Sequence, residues 1–304
     1  MSKKLAYLFG ILITILFGTY FHWKYCCSVC CVSNEVIIIA TSENETPQAI
    51  VLNGFNLNAE GIDFNCAENF NFKKDEFNKV VPFKDSILFG ILKLKDYLYK
   101  FPDQKIVISG FAMNSETNSS AFPNLGLARA NDVKNLLVEK GISPGQIKIQ
   151  GELVVDLNES RKMILGPIDY SFVSKMEDEG SNINWELLKT TLNQDPLQLN
   201  FNSGASSIDL TEDQRAKIAD ISNYLDNVEG STILIVGHTD NEGDRSENTA
   251  LGLERAEFAK NYLARNGVNP ARIDVDSKGP DEPIASNKTL DGRSKNRRTV
   301  VSIK

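Results

Sequence analysis

The chain has 304 residues, a length typical of about two domains, and its apolar residue content of 41% excludes wholesale disorder. Its formal charge of −7 and its isoelectric point near 5.1 make nucleic acid a poor partner for the chain as a whole.

The first segment predicts a membrane anchor. After Lys3 and Lys4, residues 5–21 carry no charge, and as a helix they would span about 25 Å, close to the thickness of a bilayer core. We therefore expect residues 1–31 to contain one transmembrane helix, with a cytoplasmic N-terminus and the bulk of the chain in the periplasm of a Gram-negative bacterium. A cleaved signal peptide and a lipoprotein are the alternatives, although no small-residue cleavage site follows the apolar run.

Four of the five cysteines lie directly after this segment, at Cys26, Cys27, Cys30 and Cys31. Oxidation is the simplest fate of such thiols outside the cytoplasm, so interchain disulfides and a homodimer are expected. Acylation, a metal site and no defined role are the alternatives, and adjacent cysteine pairs fit tetrahedral zinc poorly. Cys66 stands alone and is expected to be a buried apolar residue.

The chain contains an internal repeat, which predicts a duplicated domain. Four pairs of similar segments occur in the same order in both copies. The pairs are FNF (70–72) and LNF (199–201), IVISG (106–110) and ILIVG (233–237), LGLARA (125–130) and LGLERA (251–256), and GISPGQI (141–147) and GVNPARI (267–273). We expect a linker at 32–61, a first domain at 62–173, a linker with a short helix at 174–196, and a second domain at 197–304.

The hydrophobic periodicity predicts the same order of secondary-structure elements in both copies. A short strand is followed by an amphipathic helix, an apolar strand, a polar loop, a second helix, a third strand and a final strand. The second helix is predicted at 125–139 in the first copy and at 251–266 in the second. The fold class is therefore α+β, with two tandem β-α-β-α-β(-β) two-layer sandwiches after the N-terminal helix.

A long polar loop follows the apolar strand of the second copy, in the segment VGHTDNEGDRSENTALGLERA (236–256). A plain connection needs about two to five residues, so this loop is longer than a turn requires. Together with NGVNPARI (266–273), PIASNKT (283–289) and DGRSKNRR (291–298), this segment resembles the OmpA-like peptidoglycan-binding domain family. The resemblance covers about 196–304.

The resemblance implies that the loop and the second helix form a groove for the stem peptide of the cell wall. Diaminopimelate would be held there by Asp240 and Arg255. The chemistry is consistent, because this amino acid ends in a carbon that bears an ammonium and a carboxylate. An arginine can donate two parallel hydrogen bonds to the carboxylate, and an aspartate accepts from the ammonium.

Further residues are expected around this pair. Thr239 can donate nearby, Asn248 can bridge the loop to ligand or backbone, and Leu251 is expected to line the floor. Arg297 or Arg298 could add a second positive contact, and the resemblance implies that it is Arg297. Arg255 is predicted in the first turn of the helix, where free backbone N–H groups would also meet the carboxylate.

Plainer interpretations of these residues also exist. The loop can serve only to turn the chain, since Asn, Asp and Gly are turn formers, and Arg255 can be a surface residue. His238 is expected to be a packing residue, and Asn287 and Arg293 to hold the loop before the last strand. No catalytic group or cofactor site is predicted, because no paired carboxylates, zinc triad or nucleophile elbow stand at catalytic spacing.

The first copy retains Arg129, the counterpart of Arg255, but has Met113 where the second copy has Asp240. Asn114 or Glu116 could substitute for the missing acid, although neither is aligned with it. We expect a lone arginine and therefore a degenerate copy that serves as a spacer, a dimer surface or a site for something else.

The predicted function is non-catalytic binding of peptidoglycan by the second domain, which tethers the membrane to the cell wall. The alternative is an envelope scaffold for other proteins with incidental wall contact. A role like that of the flagellar stator is disfavoured, because residues 5–21 contain no acidic residue for protons.

Overall fold

A computed structural model describes residues 54–174, 183–200 and 209–304 of the chain, together with Phe17. The strands are β1 (Leu57–Ala59), β2 (Ile62–Phe64), β3 (Phe72–Lys73), β4 (Gln104–Met113), β5 (Ile147–Val154), β6 (Glu159–Ser160), β7 (Met163–Ile164), β8 (Ile168–Ser174), β9 (Leu197–Leu199), β10 (Ile233–His238), β11 (Ile273–Gly279) and β12 (Thr299–Ile303). The α-helices are α1 (Asp85–Lys100), α2 (Leu125–Glu139), α3 (Trp185–Gln194), α4 (Glu212–Asn227), α5 (Arg245–Arg265) and α6 (Leu290–Asn296).

The N-terminal region, residues 54–174, is built on a sheet of order β5-β4-β8, in which β4 is parallel to β5 and antiparallel to β8. The apolar faces of α1 and α2 cover this sheet, with Leu94 of α1 and Val133 of α2 fully buried. Two smaller sheets, β1-β2 and β3-β7-β6, complete the region. The mixed α+β character predicted from periodicity is confirmed here.

The C-terminal region, residues 183–304, has a sheet of order β11-β10-β12-β9. The strand β10 lies in its middle, parallel to β11 and antiparallel to β12, with Ile233 and Ile235 buried under α4 and α5. A capping box begins α4, in which Thr211 and Gln214 exchange side chain to backbone hydrogen bonds. Because β10 has a neighbouring strand on each side, the loop that follows it begins at a well-supported position.

A pair of glycines brings helix and strand into close contact in each region. A Cβ atom on Gly237 of β10 would lie 1.8 Å from the carbonyl oxygen of Gly252 in α5. A Cβ atom on Gly110 of β4 would lie 2.0 Å from the carbonyl oxygen of Gly126 in α2. No side chain fits at such distances, so these glycines fix how closely each arginine-bearing helix approaches its strand.

The helix α5 corrects the predicted boundary. It begins at Arg245, six residues before the predicted start at 251, because the side chain of Asp244 accepts from the backbone N–H groups of Ser246 and Glu247. Arg255 therefore lies in the third turn and not in the first. Gly252 lies inside this helix and packs against Gly237 of β10.

Several smaller boundaries also differ from prediction. Phe55 and Leu57 are fully buried in the N-terminal core, so the predicted linker at 32–61 already contributes to the fold. The strand expected near 70–72 is β3, and it pairs with β7 outside the main sheet. The helix α6 was not predicted at all. The short helix expected in the second linker is present as α3, and Cys66 is buried as predicted.

The two regions are in direct contact. The loop before α2 enters the C-terminal region, where Ala121 packs into the second core and its N–H donates to Asn266 Oδ1 at 2.7 Å. The ammonium of Lys134, 2% exposed, is paired with Asp226 of α4. Asn135 donates to the carbonyl of Gly267 at 3.1 Å. The interface is therefore specific, because these polar groups find partners across it.

The predicted membrane anchor at 1–31 and the cysteines Cys26, Cys27, Cys30 and Cys31 lie outside the described residues. Within the part of the chain that the structure describes, no helix has both the length and the apolar character needed to cross a bilayer.

Candidate functional site

The loop that follows β10 is held by its own hydrogen bonds. The N–H of Thr239 donates to the carbonyl of Gly279 at 2.8 Å, and the Thr239 hydroxyl donates to the carbonyl of Asp240 at 2.9 Å. The amide of Asn248, which is buried, donates to the carbonyl of Glu242 at 2.8 Å. Asn248 thus bridges the loop to α5, one of the two roles predicted for it. The loop is a preformed support and not a simple turn.

Asp240 lies at the centre of the site. Its Oδ1 accepts from the N–H of Glu242 at 3.2 Å, and its Oδ2 is paired with the guanidinium of Arg297 at 2.7 Å. The Asp240 side chain is 13% exposed and that of Arg297 is 41% exposed. The structure therefore brings Asp240 and Arg297 together. Asp240 is a nearly buried side chain on a hydrogen-bonded loop, and its partner Arg297 is partly exposed at the surface.

Arg255 reaches the same place from α5. Its Nη1 donates to the carbonyl of His238 at 3.4 Å, the one hydrogen bond of this guanidinium among the described residues. Burial lowers the pKa of Arg255, and so does the positive charge of Arg297, while Asp240 acts in the opposite direction. The contact with His238 places Arg255 beside the loop that carries Asp240.

The charges of this cluster do not balance. Two guanidinium groups face one carboxylate, and the carboxylate is bonded to Arg297 and not to Arg255. Arg255 has N–H groups left over, and a guanidinium without an anion is costly to bury. The arrangement favours a second carboxylate beside Arg255.

The helix terminus does not take part as predicted. The first free N–H groups of α5 are capped by Asp244, more than two turns away from Arg255 along the helix. A carboxylate beside Arg255 would therefore not meet free helix N–H groups. Leu251, expected on the floor, is 40% exposed on the surface of α5.

Residues outside the prediction hold the other wall of the site. Asn296, fully buried, accepts from the N–H groups of Ile284 and Ala285 at 2.9 Å each and donates to Asn287 Oδ1 at 2.8 Å. Arg293 donates to the carbonyl of Asn287 at 2.8 Å, so the two residues expected to hold this loop do so. Asn296 directly precedes Arg297, and its position inside the motif DGRSKNRR was the signal that sequence reasoning missed.

His238 is a packing residue, as expected. It is 4% exposed, and burial together with the charge of Arg298 lowers its pKa to about 4. The imidazole is therefore neutral near pH 7. Its backbone serves the site, because the carbonyl receives Arg255 and the N–H donates to the carbonyl of Arg298 at 2.8 Å.

In the N-terminal region the expectation of a lone arginine is wrong. Arg129 forms a two-pronged ion pair with Glu116, and the side chains of both are 0% exposed. The acid comes from further along the loop than the aligned position, Met113, which is why alignment of the two copies did not locate it.

Comparison with known proteins agrees with this picture. The sequence profile described as the OmpA family matches residues 84–160 and 200–297, together more than half of the chain. The outer membrane protein A of Bordetella avium is 46% identical over 72 residues, 24% of this chain and 37% of that protein. The outer-membrane lipoprotein YfiB of Pseudomonas aeruginosa is 36% identical over 94 residues, 31% of this chain and 56% of that protein.

Among solved structures, the peptidoglycan-associated lipoprotein from Burkholderia pseudomallei is 28% identical, with a TM-score of 0.31. That match covers 35% of this chain and 89% of the lipoprotein. The chain spans only about a third of the length of the first curated relatives that it matches. Since the family profile covers both the β4–α2 segment and the region that contains Asp240 and Arg255, the chain belongs to the OmpA family.

Proposed function

We propose that the C-terminal region binds peptidoglycan without catalysis, through the diaminopimelate of the stem peptide, and so tethers an envelope membrane to the cell wall. The observation that carries this proposal is the cluster of Asp240, Arg255 and Arg297, in which a half-buried guanidinium lacks an anion.

The charges suit a zwitterionic head. The carboxylate of diaminopimelate would accept from the unused N–H groups of Arg255, and its ammonium would donate to Asp240. Arg297, with its side chain 41% exposed, can move aside or share Asp240 with the ammonium. The ligand would then supply the negative charge that the cluster lacks, at about 1.5–3 kcal/mol for each charge-assisted bond.

The rest of the chain fits a tether. We propose that residues 62–173 and 197–304 are tandem copies of one domain, supported by the matching glycine pairs Gly110–Gly126 and Gly237–Gly252. The uncharged run at 5–21 would anchor the chain in the membrane, and the cysteines of residues 26–31 would link two copies. Envelope-facing relatives, among them outer membrane and peptidoglycan-associated proteins, support this location.

A binding role is favoured over an enzymatic one. The histidine next to the site, His238, is buried and has its pKa lowered to about 4, so it is a poor proton acceptor near pH 7. Its Nδ1 has no hydrogen-bond partner among the described residues, so no acid orients it as in a catalytic triad.

A second function, an envelope scaffold with incidental wall contact, is favoured by one observation. The loop at 118–122, whose counterpart in the C-terminal region is the proposed ligand loop, packs here against the C-terminal region of the same chain. This loop therefore serves a contact between two folded regions and not the binding of a ligand.

The test is co-sedimentation of the purified protein with intact wall sacculi. Asp240→Ala and Arg255→Ala are expected to weaken binding by roughly 10- to 100-fold each, as loss of one charge-assisted bond predicts. Arg245→Ala is the matched control, because Arg245 lies on the same helix but pairs with Asp281 at the exposed N-terminal end.

Competition identifies the ligand. A stem peptide with diaminopimelate at its third position should release the protein from sacculi, whereas the same peptide with lysine there, whose side chain ends in an ammonium without a carboxylate, should not. Binding that is unchanged in both variants would reject the site, and equal competition by the lysine peptide would reject the ligand while leaving wall binding intact.

A further inference from the structure

The two regions anchor their arginines in the same way. Arg129 of α2 donates from Nη1 to the carbonyl of Phe111 at 2.9 Å, and Arg255 of α5 donates from Nη1 to the carbonyl of His238 at 3.4 Å. In each case the acceptor is the residue that directly follows the close-packed strand glycine. Each arginine therefore points toward the loop at the same end of its sheet.

The arginines differ in what lies beyond that anchor. Both carboxylate oxygens of Glu116 receive hydrogen bonds from Arg129, with the Nη1–Oε2 distance at 3.1 Å. The same carboxylate accepts from the N–H of Met113 at 2.9 Å and from the N–H of Asp75 at 3.2 Å. Four donors around one carboxylate form a complete anion site.

A lid seals this site from water. The Nε of Arg129 donates to the carbonyl of Glu76 at 3.2 Å, and the ring of Phe72 lies 5.4 Å from the guanidinium carbon. These residues belong to β3 and the turn after it, next to Asp75. The small sheet β3-β7-β6 thus covers the arginine at the place where the C-terminal region leaves Arg255 partly open.

We propose that the Arg129 site is a carboxylate-binding site occupied by the chain's own Glu116, which holds the place that a ligand carboxylate takes on Arg255. The comparison with Arg255 rests on the proposed function, but the chemistry of the Arg129 site does not. The N-terminal region therefore takes no wall peptide at this position, and its loop is free to dock Ala121 into the C-terminal region.

The protonation state of Glu116 agrees with this role. Burial pushes the pKa of Glu116 upward, but the hydrogen bonds from Arg129 and from the backbone of Met113 and Asp75 outweigh it and lower the pKa overall. The side chain is therefore a carboxylate near pH 7, as a ligand on Arg129 must be.

The test is chemical rescue in the full chain. Glu116→Ala removes the internal carboxylate and leaves room for a small one. Hydrogen–deuterium exchange in α2 should become faster in this variant, and formate or acetate should restore most of the lost protection in a saturable manner. Chloride at equal ionic strength should not, because it lacks the planar pair of oxygens that fits a guanidinium.

Two controls keep the result specific. Glu116→Gln fills the same space with an amide and should gain nothing from formate, and Glu159→Ala, which removes an exposed partner of Lys74, should not respond either. If Glu116→Ala does not fold in chloride, its refolding yield in formate gives the same information, and a yield that does not rise overturns the proposal.

The outcome is independent of wall binding. Rescue by formate with no loss of sacculus binding in Arg255→Ala would retain this inference and reject the proposed function. Protection in Glu116→Ala that responds to formate no more than the wild type does would overturn the inference, whatever the sacculus experiment shows.

Discussion

The N-terminal and C-terminal regions each have an arginine at an equivalent place on a helix that packs against a strand through a pair of glycines. The two arginines differ in burial and in bonding partner. Arg129 is fully buried and bonded to Glu116, whereas Arg255 is half-buried and bonded to one backbone carbonyl. The difference lies in the loop between strand and helix. A loop that contains its own carboxylate closes the site, and one in which Asp240 pairs with the partly exposed Arg297 leaves it open.

This comparison separates two uses of one framework. In the N-terminal region the loop continues past Glu116 to Ser120 and Ala121, which are fully buried against the C-terminal region. In the C-terminal region the corresponding loop remains at the surface, with residues 241–247 exposed. The buried arginine, Arg129, is thus bonded to the loop that docks against the other region. The half-buried arginine, Arg255, lies beside a loop that stays exposed to solvent.

The largest expected loss of stability comes from replacing Arg129, and replacement of Arg255 is the matched comparison. Arg129→Met strands the Glu116 carboxylate without its partner in a buried site, which should lower the free energy of unfolding by about 3–5 kcal/mol. Arg255→Met should change it by less than about 1 kcal/mol, since only one long hydrogen bond is lost and repulsion from Arg297 is relieved. Urea unfolding measures both. Similar losses in the two variants would contradict the comparison.

The glycine contacts should be equally intolerant in both regions. Gly110→Ala and Gly237→Ala each place a methyl group so close to a helix carbonyl that the two overlap. Such overpacking typically lowers the free energy of unfolding by about 1–3 kcal/mol and sometimes by more. Thermal unfolding measures the loss. Gly230→Ala is a control for added bulk, since a Cβ there meets no atom within 4 Å, although its positive φ adds backbone strain. A large loss in one region alone would show that the two contacts are not equivalent.

Acid should act on the C-terminal region first. The pKa of His238 is lowered in the folded state to about 4, whereas its ordinary value is 6.5. Below pH 6.5 the unfolded chain therefore binds a proton at this histidine more readily than the folded chain does. Stability that is present above that value is lost as the pH falls toward 4, by about 1–3 kcal/mol. Glu116, whose pKa is lowered, loses its contribution only at still lower pH, as it becomes protonated in the folded state.

A matched substitution tests this pH dependence. His238→Phe introduces the residue that stands at the same place in the N-terminal region, Phe111. Unfolding by urea at several pH values should show a flatter profile for this variant between the ordinary histidine pKa and about 4. An unchanged profile would assign the acid sensitivity to other groups.

The smallest effect is expected at the contact between the regions. Lys134→Met removes the ammonium that pairs with Asp226, whose side chain is still 26% exposed and can be solvated, so a loss of about 1–2 kcal/mol is expected. Faster hydrogen–deuterium exchange of the Ala121 N–H, which donates to Asn266 across the contact, would report loosened docking. Lys140→Met, at an exposed pair with Glu139, is the control and should leave this exchange unchanged.

Much of the fold could be predicted because it depends on local patterns. The continuous apolar run of β10 and the helical spacing in α4 indicated their type and order without any structure. The start of α5 was misplaced because Asp244 caps the helix from within a run that resembles a loop. The helix α6 was missed because it has only seven residues, and Leu290 is the single apolar side chain among them. It is held to the preceding loop through Asn296, which accepts from the N–H groups of Ile284 and Ala285.

The sequence alone determined that this chain has a mixed α+β fold and that Asp240, Arg255 and Arg297 are candidates for one site. It could do so because motifs and periodicity are properties of neighbouring residues. Which acid meets which arginine was decided only by the tertiary structure. Asp240 pairs with Arg297 across 57 residues, and Glu116 reaches Arg129 from an unaligned position, since loop paths and not residue spacing set the distances between charges.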